Sequence, residues 1–262
     1  METIYKSENI ELIIDLVTDR NNKIKPVLII PGGAYSFVSL PNEGYSVASY
    51  FKKLGYSTFI LNYKVAPNRF PTQVKNVYEA LTFIKEHSGE FNLDLNELVL
   101  VGSSAGGHLA LNSTTLLKNE KFMKEIHYEN LDTKIKGLVL LYPVTMYAPL
   151  LNDGNTFRNL LGDDFENGEK IALTNAAYNV YEGFPKTFIY STFEDDCVDI
   201  KHTLTLAANL REKSADVELH VFNKGRHGMG LCEKEYNEDV KEDRLQANSL
   251  YVEALTYWIK NL

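Results

Sequence analysis

Short apolar runs alternate along this chain with segments whose apolar residues recur every three or four positions. Residues 27–30 (V-L-I-I), 58–63, 98–101 (L-V-L-V), 137–142 (G-L-V-L-L-Y), 187–191 and 217–222 read as strands. The most apolar of them suit burial on both faces of a sheet. Between them, Val47, Tyr50, Phe51 and Leu54 fall on one helical face, which Gly55 stops. Val74, Val77, Tyr78, Leu81 and Ile84 mark a second amphipathic helix, and Ile200, Leu204, Ala207 and Ala208 a third. Leu250, Tyr251, Ala254, Leu255, Trp258 and Ile259 predict a C-terminal helix that packs on the sheet. Residues 9–17 predict one more strand, followed by a polar turn at Asp19-Arg20-Asn21-Asn22. Strands alternating with helices at this spacing imply an α/β protein. Its central sheet is mostly parallel, with about seven or eight strands covered by helices on both faces.

The length of 262 residues fits one domain spanning 1–262, and no linker divides it. The longest stretch without a clear strand, 143–185, is the natural place for a small cap. Composition is ordinary for a globular protein, with 44% hydrophobic and 24% charged residues. A formal net charge of −8 argues against nucleic-acid partners and anionic membrane surfaces. No apolar run reaches membrane-spanning length, and the first residues, M-E-T-I-Y-K-S-E-N, lack a signal-peptide core. Cys197 and Cys232 do not suggest a disulfide framework. A cytoplasmic protein is the expectation, and homo-oligomers are compatible with it.

The chemistry centres on residues 98–108, L-V-L-V-G-S-S-A-G-G-H. Here G-x-S-x-G follows an apolar strand and opens a helix, the spelling of a nucleophile elbow. The turn is so sharp that its serine, Ser104, must sit in a strained conformation. Gly102 and Gly106 flank it because side chains there would clash. The backbone N–H of Ala105, at the helix N-terminus, is aimed at an incoming oxyanion. The pentapeptide alone is a weak signal, and a glycine-rich loop with incidental serines would spell it too. Its position between strand and helix is what gives it weight.

An activated serine needs a base, and the base needs an orienting carboxylate. Two loops after later strands supply them. The run 187–191 leads into T-F-E-D-D-C-V, and 217–222 into N-K-G-R-H-G-M-G. Of the six histidines, His87, His108, His127, His202, His220 and His227, only His227 combines a post-strand loop with flanking glycines. His108 belongs on the elbow helix, behind the serine. Glu194, Asp195 and Asp196 are consecutive, so the residues alone leave the acid open among them, while Asp199 reads as a helix cap. The chain order of serine, acid and histidine is the one that accompanies this type of elbow.

These segments resemble the α/β-hydrolase superfamily, within its esterase/lipase branch. They are most similar to bacterial acetyl-xylan-esterase-like and feruloyl-esterase-like carbohydrate esterases. The matching pieces are P-G-G-A-Y-S-F at 31–37, L-N-Y-K-V-A-P at 61–67, V-G-S-S-A-G-G-H-L-A at 101–110, L-Y-P-V at 141–144, T-F-E-D-D-C-V at 192–198 and K-G-R-H-G-M-G at 224–230. The resemblance implies the α/β-hydrolase fold and a triad of Ser104, Asp195 and His227. The family spacing T-x-x-D-x-x-V selects Asp195 over its neighbours. It also implies an oxyanion hole made by the N–H groups of Gly33 and Ala34 together with Ala105. Ala34 stands where the family carries a third glycine, so its backbone must avoid conformations reserved for glycine. Tyr35, next in the loop, either presents an aromatic face to a sugar ring or packs the loop onto the body.

The expected function is a serine carboxylesterase acting on small acyl esters, with O-acetyl groups of sugars or oligosaccharides foremost. Two readings compete with it: an amide hydrolase or peptidase on the same fold, such as an arylformamidase, and a non-catalytic binding protein. The partner expected is a small-molecule ester. No cofactor and no metal are called for, since the chain carries no zinc-type Cys/His spacing, Walker loop or dinucleotide G-x-G-x-x-G. The acidic stretch 233–243 reads as solvated surface.

Overall fold

The computed structural model describes every residue except Met1 and Arg20. The polar turn anticipated at 19–22 therefore lies partly outside the described residues. Within it, the N–H groups of Asn21 and Asn22 donate to Asp19 Oδ1.

Among the described residues eight strands form one sheet: β1 (Glu2–Lys6), β2 (Glu11–Asp15), β3 (Lys25–Ile30), β4 (Tyr56–Asn62), β5 (Val99–Ser103), β6 (Gly137–Leu141), β7 (Lys186–Thr192) and β8 (Val217–Phe222). Their spatial order is β1-β2-β4-β3-β5-β6-β7-β8. β1 and β2 pair antiparallel, as do β2 and β4, while every pairing from β4 to β8 is parallel. This is the mostly parallel architecture expected of an α/β-hydrolase. β1 has no counterpart in the sequence reading, because E-T-I-Y-K is short and polar and lies at the sheet edge. The strand anticipated over 9–17 shortens to five residues.

The α-helices of the described residues are α1 (Ser46–Lys53), α2 (Thr72–Glu86), α3 (Ser104–Leu116), α4 (Glu120–Glu125), α5 (Thr156–Leu161), α6 (Gly168–Thr174), α7 (Lys201–Glu212) and α8 (Glu242–Lys260). Alternation along the strands sends successive side chains to opposite faces. Leu28, Ile30, Leu100, Leu138, Leu140 and Ile189 pack on one face with α2, α3, α5 and α7. Val27, Ile29, Val99, Val101, Val139 and Phe188 pack on the other with α1 and α8. Both faces are thus dry, which is why the central strands carry apolar residues on both sides.

α5 and α6 belong to the long connection between β6 and β7. Phe157, Leu160 and Leu161 of α5 are buried in the main core. The acidic stretch lies mostly at the surface, as anticipated, with one buried anchor. Asn237 is fully buried and donates to Met229 O and Glu233 O, and the Ser46 hydroxyl donates to the Glu233 carboxylate. Glu242 and Asp243 form the first turn of α8, where the helix dipole favours acidic residues.

Candidate active site

The site lies at the carboxyl ends of β3, β5, β7 and β8, where ligands bind in open parallel sheets. β5 runs extended through Ser103, and α3 begins at the next residue. Ser104, at the junction, has φ +54°. A non-glycine residue held there stores strain that the surrounding turn must enforce. The flanking glycines have a steric reason. A Cβ on Gly102 would collide with Gly106 O, and one on Gly106 would collide with Ile30 O and Pro31 O. The elbow thus packs directly onto the end of β3.

His227 sits in the loop after β8. Its Nε2 is 2.8 Å from Ser104 Oγ and its Nδ1 is 2.7 Å from Asp195 Oδ2. A carboxylate oxygen only accepts, so Nδ1 carries the proton and Nε2 is free to accept from the serine hydroxyl. Asp195 Oδ1 accepts the backbone N–H groups of Cys197 and Val198 at 2.9 and 2.8 Å, which fixes the carboxylate plane. The Asp195 side chain is only 3% exposed. Its neighbours are placed otherwise. Asp196 is exposed, and Glu194 pairs at the surface with Lys224 and Arg244. Of the three consecutive acids, the structure brings Asp195 alone to the imidazole.

The loop after β3 closes the other side of the site. Gly33, Ala34 and Phe37 line a pocket of about 240 Å³ together with Ser104, Cys197 and His227. Gly33 has φ +126°, and a Cβ there would collide with Phe37 O, so glycine is required. Ala34 follows at φ +51°, in the small left-handed region that other residues can enter. The missing third glycine is therefore tolerated. The N–H of Gly32 is taken by Glu43 Oε2 at 2.8 Å, and the next two residues of the loop, Gly33 and Ala34, line the pocket. Ala105 is the second residue of α3, where an N–H has no intrahelical partner.

Of the two readings of Tyr35, packing of the loop onto the body holds and the sugar-facing one is overturned. Its side chain is fully buried, its hydroxyl lies 2.8 Å from His108 Nδ1, and its ring meets Tyr63 edge-on. It cannot offer a face to a sugar. Two successive positive φ angles, at Ala34 and Tyr35 (+56°), turn the side chain inward. The aromatic residue open to the pocket is Phe37, 59% exposed, which the sequence reading did not single out. Two further residues were missed. Glu43 is buried, and its Oε1 accepts the Tyr142 hydroxyl at 2.8 Å. Tyr142 packs edge-on against His227, with ring centroids 5.0 Å apart. Burial raises the Glu43 carboxyl above its ordinary range. Glu43 lies in none of the matching segments, and Tyr142 lies in L-Y-P-V at 141–144 but its partners, Glu43 and Gly230, are distant in sequence.

Among the described residues no group of three or more His, Cys, Asp or Glu is arranged to hold a metal ion. No helix among them is long and apolar enough to cross a membrane.

Known proteins place this geometry in context. The chain is 27% identical over 216 residues to endo-1,4-beta-xylanase B of Butyrivibrio fibrisolvens, covering 80% of this chain and 33% of that protein. It is 22% identical over 210 residues to the acetylxylan esterase of Xylanibacter ruminicola, covering 79% and 41%. It therefore spans well under half the length of these relatives. Among solved structures, an acetyl ester-xyloside bifunctional hydrolase from Caldicellulosiruptor lactoaceticus superposes with a TM-score of 0.77 at 26% identity, over 94% of this chain and 88% of that one. The profile of the BD-FAE family matches residues 12–210, and with this elbow, this sheet and that match the chain belongs to the BD-FAE family of the α/β-hydrolases.

Proposed function

We propose that this protein is a serine carboxylesterase that removes small acyl groups, acetyl foremost, from sugar or oligosaccharide alcohols. The observation that carries the reading is the unbroken chain of contacts from Ser104 Oγ through His227 to Asp195. In it, Ser104 attacks the ester carbonyl while His227 Nε2 takes the hydroxyl proton, and Asp195 stabilises the resulting imidazolium. The N–H groups of Gly33, Ala34 and Ala105 receive the oxyanion of the tetrahedral intermediate, each such donor being worth about 3 kcal/mol of barrier. His227 then protonates the leaving alcohol, and water releases the acyl group by the reverse sequence. The chain acts as one domain over 1–262, with 143–185 as a cap.

Two features support the substrate class. The relatives named above include an acetylxylan esterase and an acetyl ester-xyloside hydrolase. The pocket at Ser104 is small, and the apolar side chains of α5 are spent in the core rather than on a lipid-facing surface. A good acyl channel would gain up to about 0.8 kcal/mol for each buried methylene, so a lipase gains efficiency with chain length. The test is kcat/KM across acetyl, butyryl, octanoyl and palmitoyl esters, alongside acetate release from acetylated xylo-oligosaccharides. An acetyl optimum with acetate release is expected. An optimum at octanoyl or longer with no acetate released overturns the substrate class.

A further inference from the structure

The six-residue π-helical turn Leu40–Tyr45 holds two polar side chains against opposite walls of the site. Asn42 Nδ2 donates to Gly228 O at 2.9 Å, gripping the residue that follows His227. Glu43, next to it, is only 5% exposed. One of its oxygens accepts the Gly32 N–H and the other the Tyr142 hydroxyl, each at 2.8 Å. Tyr142 Oη in turn accepts the Gly230 N–H at 2.9 Å, and its ring lies edge-on to the His227 imidazole. A single buried carboxylate thus connects the loop carrying Gly33 and Ala34 to the loop carrying His227.

Resting on the triad mechanism proposed above, we propose that Glu43 is a positioning residue of the esterase. Its carboxylate fixes the N–H groups of Gly33 and Ala34 relative to Ser104 and, through Tyr142, the imidazole of His227. Three observations carry this. Gly32 is wedged between Glu43 and the elbow: a Cβ on it would come within 2.8 Å of both Glu43 Oε2 and Ser104 Cβ. The loop backbone therefore cannot shift without breaking the Glu43 contact. The partners of Glu43 are donors, and a carboxylate accepts from all of them at once, whereas an amide of the same shape cannot. With glutamine at 43, the amide nitrogen faces either the Gly32 N–H or the Tyr142 hydroxyl, and a buried donor loses its acceptor. Finally, Glu43 shares the lining of one pocket with both Ser104 and His227. Burial raises the Glu43 carboxyl above its ordinary range, and the Tyr142 hydroxyl, the Gly32 N–H, the charge of His227 and Ser39 act against that rise.

The test uses Glu43→Gln and Tyr142→Phe in the full chain, with active sites counted by a fluorophosphonate. Kinetics are measured on an aryl acetate, and inhibition by an aryl trifluoromethyl ketone reports the tetrahedral adduct. Misplaced donors lower kcat but hardly touch ground-state binding. For Glu43→Gln, kcat per titrated site is expected to fall about 10- to 100-fold, with KM within about threefold of wild type. Ketone affinity should fall by the same factor as kcat/KM. Tyr142→Phe, which keeps the ring on His227 but cuts the link, should shift kcat in the same direction by less. Wild-type kcat per site in Glu43→Gln, or a loss confined to KM, overturns the proposal. If that variant does not fold, Tyr142→Phe decides, and an unchanged kcat there overturns it. Ser104→Ala runs alongside. If it stays active, the triad itself is wrong and Glu43 falls with it. If it is dead while Glu43→Gln is fully active, only the Glu43 assignment fails.

Discussion

His108 Nδ1 accepts the Tyr35 hydroxyl at 2.8 Å, while its Nε2 lies 2.8 Å from Thr174 O. A carbonyl only accepts, so Nε2 carries the proton and Nδ1 is the acceptor for Tyr35. One buried neutral imidazole therefore ties the glycine loop after β3 and the elbow helix α3 to the segment between β6 and β7. Asn159 Nδ2 adds a second tie from that segment, donating to Ala34 O at 2.8 Å.

Stability should fall in mild acid because of His108. Burial depresses its pKa to about 4, while an unfolded histidine titrates near 6.5. Between those values the unfolded chain binds a proton that the folded chain refuses. The contribution is complete above about pH 6.5 and is lost as pH falls toward 4, on the order of 3 kcal/mol in all. His202, also depressed by burial, acts in the same direction, while the raised Glu43 carboxyl acts in the opposite one. His108→Gln offers the same donor and acceptor without titrating. Denaturant midpoints from pH 7 to pH 4 should converge for the two proteins. Parallel curves would exclude His108 as the source.

Tyr35→Phe removes the hydroxyl and leaves Nδ1 of His108 buried without a donor. The expected cost is about 1–3 kcal/mol of stability. A loss under a few tenths of a kcal/mol in urea unfolding would show that the contact does not anchor the loop.

Ser104→Ala should lower ester turnover by at least about 10³-fold and abolish fluorophosphonate labelling, with little change in melting temperature. Ser103, the last residue of β5, should tolerate alanine far better. If the Ser103 variant is the inactive one, the register of the elbow is not the one described.

Asp195→Asn presents an amide to His227 and favours the wrong tautomer, a change that costs about 10⁴-fold in a related triad. Asp196, exposed one residue later, should accept asparagine with near-normal kcat. Equal, mild effects at the two positions would remove Asp195 from its proposed role.

Gly33→Ala forces a Cβ into Phe37 O at a backbone angle alanine rarely adopts. The loop must shift, and with it two of the proposed oxyanion donors. Turnover of an aryl acetate should drop about 10²-fold or more. Wild-type kcat in a folded Gly33→Ala protein would place the donors elsewhere.

Much of this architecture is decided by short-range physics and is therefore legible in the sequence. Runs such as V-L-I-I and L-V-L-V suit strands covered on both sides, and the helical repeats between them supply the cover. The spelling G-S-S-A-G is likewise local, since Gly102 and Gly106 are dictated by collisions within one turn and its nearest strand. The short polar edge strand β1 escapes because nothing in its own residues demands pairing; β2 supplies that. What only the tertiary structure decided is orientation across distant loops. Tyr35 points inward because two left-handed residues turn the loop and His108 waits 73 positions away to receive it. Glu43 matters because Gly32 and Tyr142, far apart in the chain, converge on it. Periodicity and turn sterics repeat within a few residues and can be read from them. Side-chain partners across the sheet depend on how every intervening element packs, and no local pattern carries that information.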